Sequence, residues 1–155
     1  MTSRYLEDYA VGQVFGSGRV RVEEERIRSF ATEFDPQPFH LDAEAAARSV
    51  FRGLAASGWH TAAMTMRLFV DSELKPEGGI VGMGFDEFRW PRPVRPGDEL
   101  RLESEVMEVS PSASRPAPER LADVPAVMPS GPVTAARAIS TAIRCPSETR
   151  YVIPP

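Results

Sequence analysis

The sequence is poor in the residues that staple or metallate small proteins: it holds one cysteine, Cys145, and two histidines, His40 and His60. One thiol closes no internal disulfide, and no Cys or His stands beside Cys145 at ligand spacing, so neither a disulfide framework nor a zinc-bound core is indicated. Cys145 reads as a bystander thiol. Basic residues are also short of what a phosphate backbone demands. Lys and Arg number 18 against 22 Asp and Glu, for a formal net charge of -4, and the arginines are scattered among acids instead of forming a dense stripe. Nucleic acid is therefore not expected as a partner. No apolar run approaches the length of a membrane span, and Met1-Thr2-Ser3-Arg4-Tyr5-Leu6-Glu7-Asp8 lacks the apolar core of a leader peptide. The expectation is a cytoplasmic protein without a membrane partner.

What the chain does hold is ordinary for a globular protein. Its 155 residues are 42% hydrophobic and 26% charged, enough to bury a core without staples, so one domain over residues 1–155 is expected. The segment 14–22 alternates weakly and becomes β-branched, which predicts a first strand. After Glu23-Glu24-Glu25, the residues Ile27, Phe30, Ala31 and Phe34 recur at helical spacing, with acids at the favourable N-terminal end. That helix should end near Asp35, because Pro36 and Pro38 bias their predecessors to extended backbone; Asp35 to His40 is expected to be an irregular loop. A short helix from Asp42 follows.

From Gly58, the residues Trp59, Ala62, Ala63, Met66, Phe69 and Val70 mark one helical face while Met64 and Leu68 fill another. A helix apolar on nearly all sides needs partners around it, and a curved sheet wrapped about it is the economical way to supply them. Lys75 to Gly79 reads as a turn, Ile80 to Trp90 as a strand, and Pro91 to Asp98 as a rigid connecting loop. From Glu99 to Val109 the period is strictly two, with Leu100, Leu102, Ser104 and Val106 on one face. Residues 110–132 are rich in Pro, Ser and Ala and predict a long loop, which leaves Val133 to Arg144 as a closing strand or else an irregular tail.

Two groups suited to proton transfer, Asp35 and His40, sit five residues apart on the proline-stiffened segment. Rigidity suits a carboxylate and an imidazole that must hold one water between them. Taken alone, the spacing is more often that of a helix cap beside a structural histidine. Ser57-Gly58 adds a second element. Placed at the start of the apolar helix, the Gly58 amide points outward with the positive end of the helix dipole behind it, an oxyanion-binding arrangement that a side chain at 58 would obstruct. Ser57 is at the same time a plain helix N-cap. His60 reads as a satisfied core residue and stays outside the catalytic set.

The segments Phe34-Asp35-Pro36-Gln37-Pro38-Phe39-His40-Leu41-Asp42, Gly53-Leu54-Ala55-Ala56-Ser57-Gly58-Trp59 and Arg89-Trp90-Pro91-Arg92-Pro93-Val94-Arg95-Pro96-Gly97-Asp98 together resemble the MaoC-like dehydratases and (R)-specific enoyl-CoA hydratases of the hot-dog superfamily. The resemblance runs from Val11 to Val109. It implies an α+β hot-dog fold, a curved antiparallel sheet around a long central helix. It implies further that Asp35 and His40 activate water and shuttle its proton, that the Gly58 amide beside Ser57 holds a thioester carbonyl, and that the protein is a homodimer. The substrate implied is an acyl-CoA thioester; CoA is part of that substrate, and no metal or separate cofactor is implied. The chain departs from the family pattern at Gln37, where Asn is usual, at Ser57, where His is frequent, and in its proline-interrupted tail.

Two rivals share these features. A hot-dog acyl-CoA thioesterase would use the same helix amide but direct water at the carbonyl, and a non-catalytic acyl-CoA-binding domain would keep the cleft without turnover. Release of free thiol from a saturated acyl-CoA marks the first, and binding without product marks the second.

Overall fold

The computed structural model describes residues 4–80, 89–90, 92–109, 139–145 and 149–150. Its sheet is antiparallel with strand order following chain order. Strand β1 (Val14–Arg21) pairs with β2 (Glu99–Val106), β2 with β3 (Ile139–Cys145), and β3 with the short β4 (Thr149–Arg150). Strand β2 carries the period-two pattern as read: Leu100, Leu102, Ser104 and Val106 are buried while Arg101 and Glu105 are exposed. It stops at Val106 instead of Val109. Opposite it, β1 contains an irregularity between Gly16 and Arg19. Such a bulge withdraws a ladder acceptor, and the Ser17 hydroxyl replaces it by accepting from the Leu102 amide at 2.8 Å.

The closing strand falls at Ile139–Cys145, with Leu102 opposite Ile143 and Ser104 opposite Thr141. This settles the choice between a strand and an irregular tail for that part of the chain. The 133–138 end of the expected strand, the 110–132 loop and the 81–88 part of the expected Ile80–Trp90 strand all lie outside the described residues.

Among the described residues there are four α-helices. They are α1 (Glu24–Phe34), α2 (Pro38–Leu41), α3 (Ala43–Arg48) and α4 (Gly58–Val70), of which α4 packs on β1 and β2. Helix α3 starts as its sequence dictates, with the Asp42 carboxylate accepting from the Ala45 amide at 2.7 Å. Helix α2 corrects one expectation. His40 lies in a helical turn, not an irregular loop, because Pro38 occupies a first-turn position where its fixed φ suits a helix and its missing N–H costs nothing. Only residues 35–37 remain outside the helices, with Gln37 extended.

The core joins Met64 and Leu68 of α4 to Leu100 and Leu102 of β2, with Val22, Ile27 of α1, Ala46 of α3, and Leu54 and Ala56 closing the sides. A smaller cluster of Phe15, Leu74 and Val106 fills the other end. Two helical faces are narrower than their sequences suggest. In α1, Ile27 and Ala31 are buried, whereas Phe34 is 63% exposed, because the helix ends there and its last turn overhangs the core edge. In α4, Trp59, Met66 and Val70 are exposed on one side, so among the described residues the sheet covers only part of the helix.

The connecting loop before β2 is stitched to the rest of the fold. The Val22 amide donates to the Asp98 carbonyl and the Gly97 amide to the Val22 carbonyl, both at 2.8 Å, and Gly97 sits at φ +87, where a Cβ would be strained. This loop also reaches the segment leading into α4, since the Ala56 amide donates to the Val94 carbonyl at 2.8 Å.

Leu102 lies among the core residues of β2, at 1% exposure. Leu102→Ala should lower unfolding free energy by about 2–5 kcal/mol, the cost of lost transfer energy plus a cavity. Urea denaturation measures it. A loss under about 1 kcal/mol would mean that β2 does not back onto a packed core.

Candidate active site

The end of α1, the turn of α2 and the start of α4 converge. Asp35 caps α1, its amide donating to the Ala31 carbonyl at 3.0 Å, and its carboxylate leaves the helix toward α2. His40 is buried, and its Nε2 lies 3.4 Å from Asp35 Oδ2. The other ring nitrogen, Nδ1, is 2.8 Å from the carbonyl oxygen of Ala55. A carbonyl offers no proton, so Nδ1 must carry one and donate it. In the neutral ring Nε2 is then a bare acceptor that faces a second acceptor, the Asp35 carboxylate. Two acceptors this close want a shared donor between them.

Three neighbours shape the carboxylate. The Ser57 hydroxyl hydrogen-bonds it, the Gln37 side-chain amide donates to Oδ1 at 2.7 Å, and the His40 ring lies alongside. Ser57 is the strongest influence, supported by Gln37 and, only when its ring is protonated, by His40; the hydrogen bonds outweigh the opposing effect of partial burial and hold the Asp35 carboxyl below the ordinary aspartate range. Asp35 is therefore an anion at neutral pH. Ser57 serves two ends at once, because its oxygen also accepts from the Trp59 amide at 3.2 Å as the N-cap of α4.

Gly58 is the first residue of α4, and among the described residues its amide has no acceptor, as expected in a first helical turn. The structure gives a second reason for glycine here. A Cβ at position 58 would stand 2.8 Å from Cε2 of Trp90, so the absent side chain makes room for an indole. Trp90 in turn meets Trp59 edge-on, with ring centroids 6.2 Å apart.

All four residues singled out from the sequence, Asp35, His40, Ser57 and Gly58, are thus brought to one place. Three contributors were not anticipated: the Ala55 carbonyl, the Trp90 ring and the Gln37 amide. The first is backbone and leaves no trace in residue type. His60 departs from its expected role as a satisfied core residue. It is buried and stacked on Phe30 at a 4.8 Å centroid distance, but its Nδ1 has no hydrogen-bond partner among the described residues. Burial, and secondarily the Arg26 guanidinium, hold its pKa below the usual histidine value. Among the described residues no group of three or more His, Cys, Asp or Glu is placed to hold a metal ion, and no helix is long and apolar enough to cross a membrane.

A family model described as "MaoC like domain" matches residues 8–119, which include every residue of this site. The chain belongs to the MaoC-like family. Among curated proteins, it is similar to the uncharacterized protein YdeM of Bacillus subtilis, with 35% identity over 106 residues, covering 68% of this chain and 75% of that protein. Among solved structures, it is similar to a MaoC-like dehydratase from Rhodospirillum rubrum, with 48% identity and a TM-score of 0.78, covering 97% of this chain and 90% of that one. It is also similar to the R-hydratase PhaJ1 of Pseudomonas aeruginosa, with 25% identity and a TM-score of 0.66, covering 95% and 79% of the two chains. The MaoC-like chain accordingly has the hot-dog fold, α+β with an antiparallel sheet against helix α4. At the level of the family its chemistry is that of a hydratase or dehydratase.

The dominance of Ser57 over the Asp35 carboxyl has a direct readout. Ser57→Ala should raise the Asp35 titration midpoint toward the ordinary aspartate value, followed by carboxyl NMR. A carboxyl whose folded pKa is depressed adds stability that is complete above its unfolded pKa and disappears as pH falls through the lower folded value. Ser57→Ala should therefore shrink the stability difference between neutral pH and the acid side of the aspartate range. An unmoved midpoint would refute the Ser57 contact.

Proposed function

We propose that this protein adds water to the double bond of a trans-2-enoyl-CoA or a related acyl thioester, giving a 3-hydroxyacyl thioester, and runs the reverse dehydration. The supporting observation is the placement of the Asp35 carboxylate 3.4 Å from His40 Nε2, beside the first turn of α4 at Gly58. A water molecule satisfies both acceptors by pointing one proton at each. Its lone pair is then free to attack the β-carbon of the enoyl group.

The electrons pushed from the double bond arrive at the thioester oxygen, and the Gly58 amide at the positive end of α4 is the group suited to receive that charge. The proton lost by the attacking water passes to the Asp35–His40 pair and is returned to the α-carbon, so the net addition is one hydroxyl and one hydrogen. The first-turn N–H points along the helix axis while a Cβ points sideways. The carbonyl thus approaches the amide along the axis, with the Trp90 ring as a side wall. Ser57 and His40 are buried, whereas Asp35 keeps part of its side chain open to solvent, the side from which water can reach the pair. The resemblance to PhaJ1, named as an R-hydratase, supports the same reading.

Loss of one acid/base group of this kind costs about 100- to 10,000-fold. Asp35→Asn should therefore reduce hydration of crotonyl-CoA by that order while thermal unfolding stays near the parent. Loss of enoyl absorbance without thiol release is the expected signal; thiol release from saturated acyl-CoA would identify a thioesterase instead, and tight acyl-CoA binding with neither signal a binding domain. Parent activity in the Asp35→Asn protein would remove Asp35 from the mechanism.

The proposal includes a homodimer. Trp59, Met66 and Val70, exposed at 60%, 42% and 52% on one side of α4, form apolar surface that a second copy would cover. Light scattering behind size exclusion should give twice the chain mass of 17.1 kDa. A monomer at tens of micromolar would refute it.

A further inference from the structure

We propose that Arg95 is a positioning residue for His40, acting through the backbone of the segment that leads into α4. This rests on the reading of His40 as a member of the acid/base pair. The acceptor that fixes the His40 ring, the Ala55 carbonyl, belongs to residues 51–57, a stretch without helix or strand. Such a stretch holds a carbonyl in place only if other bonds pin it.

Arg95 supplies those bonds from the connecting loop before β2. Its Nη2 donates to the Phe51 carbonyl at 2.5 Å and its Nη1 to the Leu54 carbonyl at 3.5 Å. The guanidinium reaches them across position 53, where glycine is required twice over. Gly53 sits at φ +147, and a Cβ there would stand 2.9 Å from Arg95 Nη1. Arg95 is itself anchored, its amide donating to Asp98 Oδ2 at 2.9 Å. Immediately beyond Ala55, the Ala56 amide donates to the carbonyl of Val94, the neighbour of Arg95, at 2.8 Å. Ala55 is therefore clamped on both sides by one dipeptide, Val94-Arg95.

Among the described residues the charged fork meets the two carbonyls of Phe51 and Leu54. A planar fork bridges two carbonyls three residues apart, which a single ammonium does not. The consequence for chemistry runs through the tautomer. With the Ala55 carbonyl in position, the ring proton stays on Nδ1 and Nε2 accepts from water. If that carbonyl drifts, the neutral ring redistributes its proton to Nε2, which then donates to Asp35 and no longer accepts from the water to be activated.

The test uses Arg95→Gln in the full chain, with 15N-labelled histidine. The chain has two histidines, so His40→Gln assigns the spectrum by difference. In the parent, His40 should show a protonated Nδ1 and an unprotonated Nε2. In Arg95→Gln that pattern should give way to a mixture, with kcat on crotonyl-CoA falling roughly 10- to 100-fold and KM within roughly threefold, since misplacement of a reacting group costs turnover more than binding. Should Arg95→Gln not fold, Arg95→Lys carries the test, with the same direction expected and part of the activity kept. A parent-like His40 tautomer in the folded variant overturns the proposal, as does parent kcat alongside an altered tautomer. A parent protein without hydratase activity removes the proposed reaction but leaves the clamp to be judged on the tautomer alone.

Discussion

The site depends on one hydrogen bond, from His40 Nδ1 to the carbonyl of Ala55. Because the acceptor is a carbonyl, the ring proton has a fixed address, and because the proton is there, Nε2 presents a lone pair to Asp35. Replace that carbonyl with a donor and the two active groups would face each other as donor and acceptor, satisfied and inert. As built, they share an unmet need for protons. The fold keeps that need from being quenched by burying the ring between Phe39 and Phe51 and by giving Asp35 partners, Ser57 and Gln37, that favour its charge.

The surrounding architecture holds this tension in place. Asp35 ends one helix, His40 lies in the next, and Ser57 begins a third, so relative motion of the pair requires moving packed helices and not merely a loop. Pro38 starts α2 and keeps Gln37 before it extended, which shortens the span between the two helices to three residues. Behind them, Ile27, Met64, Leu68, Leu100 and Leu102 tie α1 and α4 to the sheet. Stability of the core and alignment of the site are thereby coupled.

Much of this was legible in the residues. The alternation of Glu99 to Val106 placed β2 with the correct inward face, because a half-buried strand must repeat every two residues. The 3.6-residue spacing of Ile27 and Ala31 placed α1, and the Ser57-Gly58 pair marked the start of α4. Asp35 and His40 stood out because histidines are scarce in this chain and the prolines between them are not. What could not be read depends on contacts distant in sequence. The Ala55 carbonyl is chemically identical to any other; Trp90 and Gly58 are 32 positions apart; and the grip of Arg95 on Phe51 and Leu54 becomes visible only when two loops are laid side by side. Proline ordinarily breaks a helix, but at the first turn Pro38 starts one, and the apolar spacing that includes Phe34 outlasts the buried face, which ends one turn sooner. Most buried histidines are hydrogen-bonded, and residue type alone does not mark His60 as an exception.

Trp59 and Trp90 are the two tryptophans of the whole chain, and they meet edge to face at the nose of α4. Under excitation selective for indole, the emission of this protein therefore comes from this one pair beside Gly58. Whatever enters or leaves that corner changes the polarity around an indole. The molecule carries a built-in optical gauge of its own occupancy, with no dye to attach.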